Sequence, residues 1–75
     1  MRLSEVTQGT WVRVVGFEGG QGLRARLTQH GIYPGDRLRV LRVAPLGGPF
    51  LVEANGREVA LGQGVAAKVL VEVEP

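Results

Sequence analysis

The chain has 75 residues, enough for one small domain, and its 12 valines and 9 leucines favour half-buried strands over helices. The absence of cysteine excludes disulfide bonds, thiolate metal sites and thiol chemistry. Nine basic and seven acidic residues give a net charge of +2, which is only weak evidence for a nucleic-acid partner.

The first ten residues, MRLSEVTQGT, lack the apolar run of about 7 to 15 residues that a secretory signal peptide requires. No segment approaches the roughly 18 apolar residues of a membrane-spanning helix. We therefore expect a cytoplasmic protein.

The N-terminal part of the chain predicts a short helical turn, in which Ser4 is the capping residue, followed by the first strand. Residues 10–17, TWVRVVGF, are rich in strand-forming residues. The adjacent Val14 and Val15 break the alternation and indicate a bulge or a strand buried on both faces. The glycine-rich residues 18–22 are then a loop.

Residues 23–30, LRARLTQH, are the one segment that predicts an α-helix. Leu23 and Leu27 lie four residues apart on one face, while polar residues occupy the other faces. The helix lasts about two turns and is too short to be stable alone. We therefore expect its leucines to pack against the strands.

Two chain reversals are predicted directly after this helix. Gly31 suits the left-handed conformation that ends a helix, and Ile32 can then fold back on the last turn as in a Schellman motif. Pro34 and Gly35 suit the central positions of a type II turn. The first reversal ends the helix and the second directs the next strand.

The remaining residues predict four more strands. Residues 36–43 alternate, with a change of phase near Val40 and Leu41 that indicates a bulge. Residues 50–61 predict a hairpin, because Asn55-Gly56 suits a two-residue type I′ turn. The resulting register places four apolar residues on the inner face: Phe50, Val52, Val59 and Leu61.

After the hairpin, residues 62–68 hold a turn or a single helical turn, and residues 69–73 form a half-buried final strand. The whole pattern comprises about five short strands, with one short helix inserted after the first strand. It predicts an all-β fold, a small SH3-like barrel that occupies residues 1–75 as a single domain.

The motifs that suggest catalysis or cofactor binding lack the surrounding sequence that each of them requires. Residues 62–67, GQGVAA, match the dinucleotide-binding pattern, but too few residues follow for the helix and strand that it requires. Residues 16–24 have the glycines of a phosphate-binding loop without its Lys-Ser or Lys-Thr. The residue types of a catalytic Ser-His-Asp triad are present as Ser4, His30 and Asp36. Nothing around Ser4 resembles a nucleophile elbow, so composition alone suggests this triad. We predict no enzymatic activity and no cofactor.

His30 is the only histidine in the sequence. A transition metal normally takes three or four ligands, several of them His or Cys, so we predict no metal site within one chain. We expect His30 to lie at the negative end of its helix. A metal site that two chains share through His30 is the alternative.

The order and spacing of several short motifs resemble the FeoA family over nearly the whole chain. These motifs are Leu3, Val6 and Gly9; Gly19 and Gly20; Arg24, Arg26 and Leu27 followed by Gly31, Ile32, Pro34 and Gly35; Gly47 to Pro49; Ala60 to Gly62; and a late alanine before the closing V-x-V strand. The chain departs from the family pattern at Gln29-His30, where Glu-Leu is more common, and at Tyr33.

The resemblance implies both a fold and a role. FeoA proteins are small cytoplasmic proteins or domains with an SH3-like barrel, and they accompany the ferrous-iron permease FeoB, which carries a G-protein domain. The chain is thus expected to bind and regulate such a permease without enzymatic activity, and to meet the membrane only through it. A homodimer is left open.

The resemblance also suggests a partner-binding surface around the predicted helix. An apolar groove beside Arg24 and Arg26 could be bordered by four residues: Leu23, Leu27, Ile32 and Tyr33. Such a groove would suit an apolar peptide with acidic flanks. Five residues are predicted to have a structural role, which is to shape the turns: Gly31, Pro34, Gly35, Asn55 and Gly56. In the alternative interpretation, the four apolar residues only pack the helix against the core.

Two rival functions remain at this point. One is a nucleic-acid-binding SH3-like barrel, which rests on five central arginines: Arg24, Arg26, Arg37, Arg39 and Arg42. The other is a detached C-terminal module of a metal-dependent repressor, whose barrel resembles this family. No DNA-reading helix-turn-helix precedes the barrel, which disfavours a complete repressor, and nucleic acid is the less favoured partner.

Overall fold

The computed structural model describes residues 1–74, which form five strands, two α-helices and a 3-10 turn. In chain order these are the 3-10 turn Leu3–Glu5, β1 Trp11–Phe17, α1 Gln21–Gln29, β2 Arg37–Val43, β3 Phe50–Ala54, β4 Arg57–Leu61, α2 Gln63–Ala66 and β5 Val69–Val73.

The strands form one antiparallel sheet in the order β4-β3-β2-β1-β5. Its register shifts between Val14 and Gly16 where β1 meets β5, and between Val40 and Arg42 where β2 meets β3. Bulges bend a strand and increase its twist, so these two shifts curve the sheet into the predicted SH3-like barrel. Both lie where the sequence alternation changes phase.

The β3–β4 hairpin has the predicted register, with Val52 opposite Val59 and Phe50 opposite Leu61. Asn55 and Gly56 have φ values of 52° and 78°, as a type I′ turn requires. All four side chains predicted for the inner face are buried. The two-residue turn therefore sets both the pairing and the face of this hairpin.

The core is built from apolar side chains of every element. Its members are Leu3, Val6, Val12, Val14, Phe17, Leu27, Ile32, Leu38, Val40, Phe50, Val52, Ala54, Val59, Leu61, Ala66, Val69 and Val71. Over residues 1–74, no polar or charged residue is buried. The α1 helix contributes Leu27 fully and Leu23 in part, so packing of its leucines holds it on the sheet.

Two local predictions are corrected. Ser4 lies inside the 3-10 turn, whose capping position is Arg2; the backbone N–H of Arg2 donates to Glu5 Oε1 at 2.7 Å. The α1 helix begins at Gln21, two residues before the predicted start, with Gly20 as its extended N-cap.

Candidate functional site

The first reversal after α1 is a Schellman motif. The N–H of Ile32 donates to the carbonyl of Leu27 at 3.0 Å, and the N–H of Gly31 donates to the carbonyl of Thr28 at 2.9 Å. Gly31 has a φ of 79°, which a residue with a side chain rarely adopts. The motif turns Ile32 back toward the last turn of the helix, as the sequence predicts.

The second reversal is the turn from Tyr33 to Asp36. The N–H of Asp36 donates to the carbonyl of Tyr33 at 3.0 Å, and Gly35 has a φ of 94°. Asp36 Oδ2 in turn accepts the N–H of Tyr33 at 2.9 Å. These two hydrogen bonds fix the backbone of Tyr33, whose side chain is 50% exposed.

The tip of the β3–β4 hairpin holds both reversals in place. Asn55 Nδ2 lies 3.3 Å from the carbonyl of Gly31 and 3.3 Å from Asp36 Oδ2. Arg57 Nη2 donates to the carbonyl of His30 at 2.9 Å. Sequence reasoning assigned Asn55 only to its own turn and gave Arg57 no role, because contacts between distant segments leave no local pattern.

The predicted groove does not form from all four apolar residues. Leu27 and Ile32 are 0% exposed, so neither can contact a partner. The Schellman motif explains this result, since the residue after the helix-ending glycine folds back onto the helix and here enters the core. Leu23 is half-buried, whereas Arg24, Arg26 and Tyr33 are exposed. Partner contact through these four accessible residues stays a prediction.

A separate cleft of about 410 Å³ opens on the outer face of the sheet. It is lined by Trp11, Arg13, Gly35, Asp36, Arg37, Glu53, Asn55 and Gly56. The Arg37 guanidinium lies 4.7 Å from the centre of the Trp11 ring, and that of Arg39 lies 5.8 Å from it. Sequence reasoning missed this cleft, although the alternation along β1 places Trp11 and Arg13 on one face.

The described residues contain no group of three or more His, Cys, Asp or Glu side chains placed to hold a metal ion. His30 is the C-cap residue of α1 and is exposed, which confirms its predicted position at the negative end of the helix. Over residues 1–74, no helix is long and apolar enough to cross a bilayer.

One ion pair joins the N-terminal segment to the end of β1. Arg2 Nη1 lies 2.9 Å from Glu18 Oε1, and the same guanidinium donates to the carbonyl of Ala67 at 2.6 Å. The hydrogen bond from Arg2, together with its charge, holds the pKa of Glu18 below its usual value. Both side chains are solvent-accessible, so this pair serves mainly to position the segment.

Comparison with known proteins identifies the family. The FeoA domain profile matches residues 1–73. The chain belongs to the FeoA family. A Methanocaldococcus jannaschii protein named "Putative Fe(2+) transport protein A" is 34% identical to this FeoA chain over 70 residues, which are 93% of this chain and 83% of that protein.

Solved structures agree on the fold. The crystal structure of an iron uptake regulatory protein, FeoA, has a TM-score of 0.90 and 32% identity, and the match covers 99% of this chain and 96% of that one. A manganese-dependent transcriptional repressor has a TM-score of 0.92 at 24% identity, over 99% of this chain and 36% of the repressor. At this identity, the likeness to the repressor shows the fold alone.

Proposed function

We propose that this FeoA protein is a non-enzymatic accessory protein of ferrous iron transport, which binds and regulates a FeoB-type permease from the cytoplasm. The observation that carries the proposal is the FeoA match over residues 1–73, which spans nearly the whole chain. The name of the M. jannaschii relative, at 34% identity, supports the link to ferrous iron. The protein would act by contact with the G-protein domain of the permease or a segment beside it.

The partner surface that we propose comprises Leu23, Arg24, Arg26 and Tyr33. Arg24 and Arg26 are exposed on α1, and Tyr33 is half exposed on a backbone that two hydrogen bonds with Asp36 hold. Tyrosine and arginine are among the residues that most often dominate the binding energy of protein interfaces. A fixed backbone also reduces the entropy lost when Tyr33 is immobilised against a partner.

The proposal is tested by ferrous iron uptake in cells that contain the permease. Deleting this chain should change the initial rate of uptake, and the wild-type chain should restore it. Tyr33→Ala should fail to restore it at an equal protein level, whereas Val15→Ala, at an exposed position on β1, should restore it fully. An uptake rate that does not change on deletion would refute a role in ferrous iron transport.

A further inference from the structure

We propose that the cleft beside Trp11 binds a segment of a partner protein that carries a carboxylate next to an apolar side chain. In this structure Glu74 of the chain itself, which does not line the cleft, pairs with the two arginines that do. The proposal concerns a surface other than that of α1 and Tyr33, and it does not depend on the permease being the partner.

The position of Glu74 indicates which ligand group the cleft favours. Arg13 on β1 and Arg37 on β2 are register partners, so their side chains leave the sheet side by side. Glu74 Oε1 accepts from Arg13 Nη2 at 3.1 Å and from Arg37 Nε at 2.8 Å. Two guanidinium groups therefore converge on one carboxylate oxygen, and charge-assisted hydrogen bonds of this kind are the strong ones.

The internal carboxylate is held by arginines that remain open to solvent. The side chain of Glu74 is only 17% exposed, but those of Arg13 and Arg37 are 48% and 54% exposed. Water around the two guanidinium groups weakens both ion pairs, so a competing carboxylate can reach them. Glu74 follows directly after β5, where its backbone N–H donates to the carbonyl of Trp11 at 3.0 Å. Its side chain can therefore turn away from the arginines while its backbone stays in place.

Trp11 supplies the apolar wall of the cleft. Its side chain is only half-buried, and the guanidinium groups of Arg37 and Arg39 lie close to its ring. Cation–π contacts of this kind hold the arginines near the ring. A ligand that places a carboxylate on Arg13 and Arg37 and an apolar group on Trp11 makes contacts that Glu74 alone does not make. The cleft volume, about 410 Å³, lies within the range of known ligand sites, roughly 300–1,000 Å³.

The charges around the cleft favour a protein segment over a nucleic-acid strand. Asp36 and Glu53 line the cleft, and Glu74 lies at its arginines. A strand of phosphates would meet these carboxylates as well as the arginines, and the repulsion would oppose binding. A single ligand carboxylate that takes the place of Glu74 on the two arginines adds one negative charge to the cleft, and this brings less repulsion than a strand of phosphates.

The test uses Trp11, the one tryptophan of the chain, as the reporter. Its fluorescence is followed while a capped peptide of alternating leucine and glutamate is added, with a leucine–glutamine peptide as the matched control. We expect a saturable change with the glutamate peptide only. Glu74→Gln should tighten binding by about three- to tenfold, because it removes the internal competitor.

The arginine variants test the specificity of the site. Arg37→Gln should weaken binding of the glutamate peptide by about tenfold or more, because the ligand carboxylate loses one of its two partners. Arg42→Gln removes the same charge from β2 outside the cleft and should leave binding unchanged. Thermal unfolding of each variant checks that the barrel remains folded, and the Glu74→Gln titration tests the site without removing an arginine.

Three results would overturn the proposal. One is the absence of any saturable change when the glutamate peptide is added to the Glu74→Gln protein. Another is equal binding of the glutamate and glutamine peptides. The last is tighter binding of a single-stranded oligonucleotide than of the glutamate peptide at physiological salt, which would assign the cleft to nucleic acid.

Discussion

Gly31 is subject to two separate constraints, one from its own backbone and one from a neighbouring strand. Its φ of 79° is unfavourable for any residue with a side chain. A Cβ at this position would also collide with Arg57 Nη2, the atom that donates to the carbonyl of His30. A side chain here would therefore strain the turn and disturb the contact that holds the hairpin tip against it.

We expect Gly31→Ala to lower the free energy of unfolding by more than about 1 kcal/mol, because of the positive φ alone. Gly22→Ala is the matched control, since Gly22 lies inside α1 with no atom near its added Cβ. That substitution should stabilise the protein by about 0.5–1 kcal/mol. Urea unfolding of the two variants measures both values, and equal effects would contradict the argument.

Single residues also show where sequence reasoning succeeds and where it stops. Gly31 and Gly35 were predicted at positive φ because the requirements of a turn are local. The burial of Ile32 could not be decided from the sequence, since the same fold-back suits a groove or a core. The cleft depends on Arg13, Arg37 and Glu74, and Arg13 and Glu74 lie 61 residues apart in the chain. No local pattern indicates such a contact.

The β3–β4 hairpin has two roles at the scale of elements. It supplies part of the core, and its tip ties the end of α1 to the start of β2 through Asn55 and Arg57. The register of this hairpin was predictable because a two-residue turn fixes it. The role of the hairpin tip was not predictable from the sequence, because the tip reaches the loop after α1 only when the sheet curves.

The two roles of Asn55 can be separated by substitution. Asn55→Gly keeps a residue that tolerates the φ of 52° but removes the side-chain contacts with Gly31 and Asp36. It should destabilise the protein by about 0.5–1.5 kcal/mol, as expected for a lost hydrogen bond. Asn55→Ala also removes the residue type that tolerates a positive φ in this turn, so it should lower the free energy of unfolding by more than Asn55→Gly does. Thermal unfolding ranks the variants, and an Asn55→Gly protein as stable as wild type would show that the tip contacts contribute nothing.

At the scale of the whole molecule, the SH3-like barrel does not by itself decide the function. The same fold occurs in an iron uptake regulatory protein and in part of a manganese-dependent repressor. The FeoA profile match over residues 1–73 and the 34% identity to the M. jannaschii relative place this chain in the FeoA family. The barrel places the surface around α1 and Tyr33, and the cleft around Trp11, on elements that the core holds rigidly.

Binding to the permease tests the account most directly. The purified cytoplasmic G-protein domain of the permease is titrated into this FeoA chain in a calorimeter, with Tyr33→Ala and the control Val15→Ala in parallel. We predict saturable binding that Tyr33→Ala weakens by about tenfold or more, since an aromatic anchor commonly contributes 1 kcal/mol to several kcal/mol. Melting of Tyr33→Ala should stay close to wild type, because its side chain is half exposed. The absence of saturable binding by the wild-type chain would contradict the account, and tight binding of an oligonucleotide at physiological salt would favour the nucleic-acid alternative.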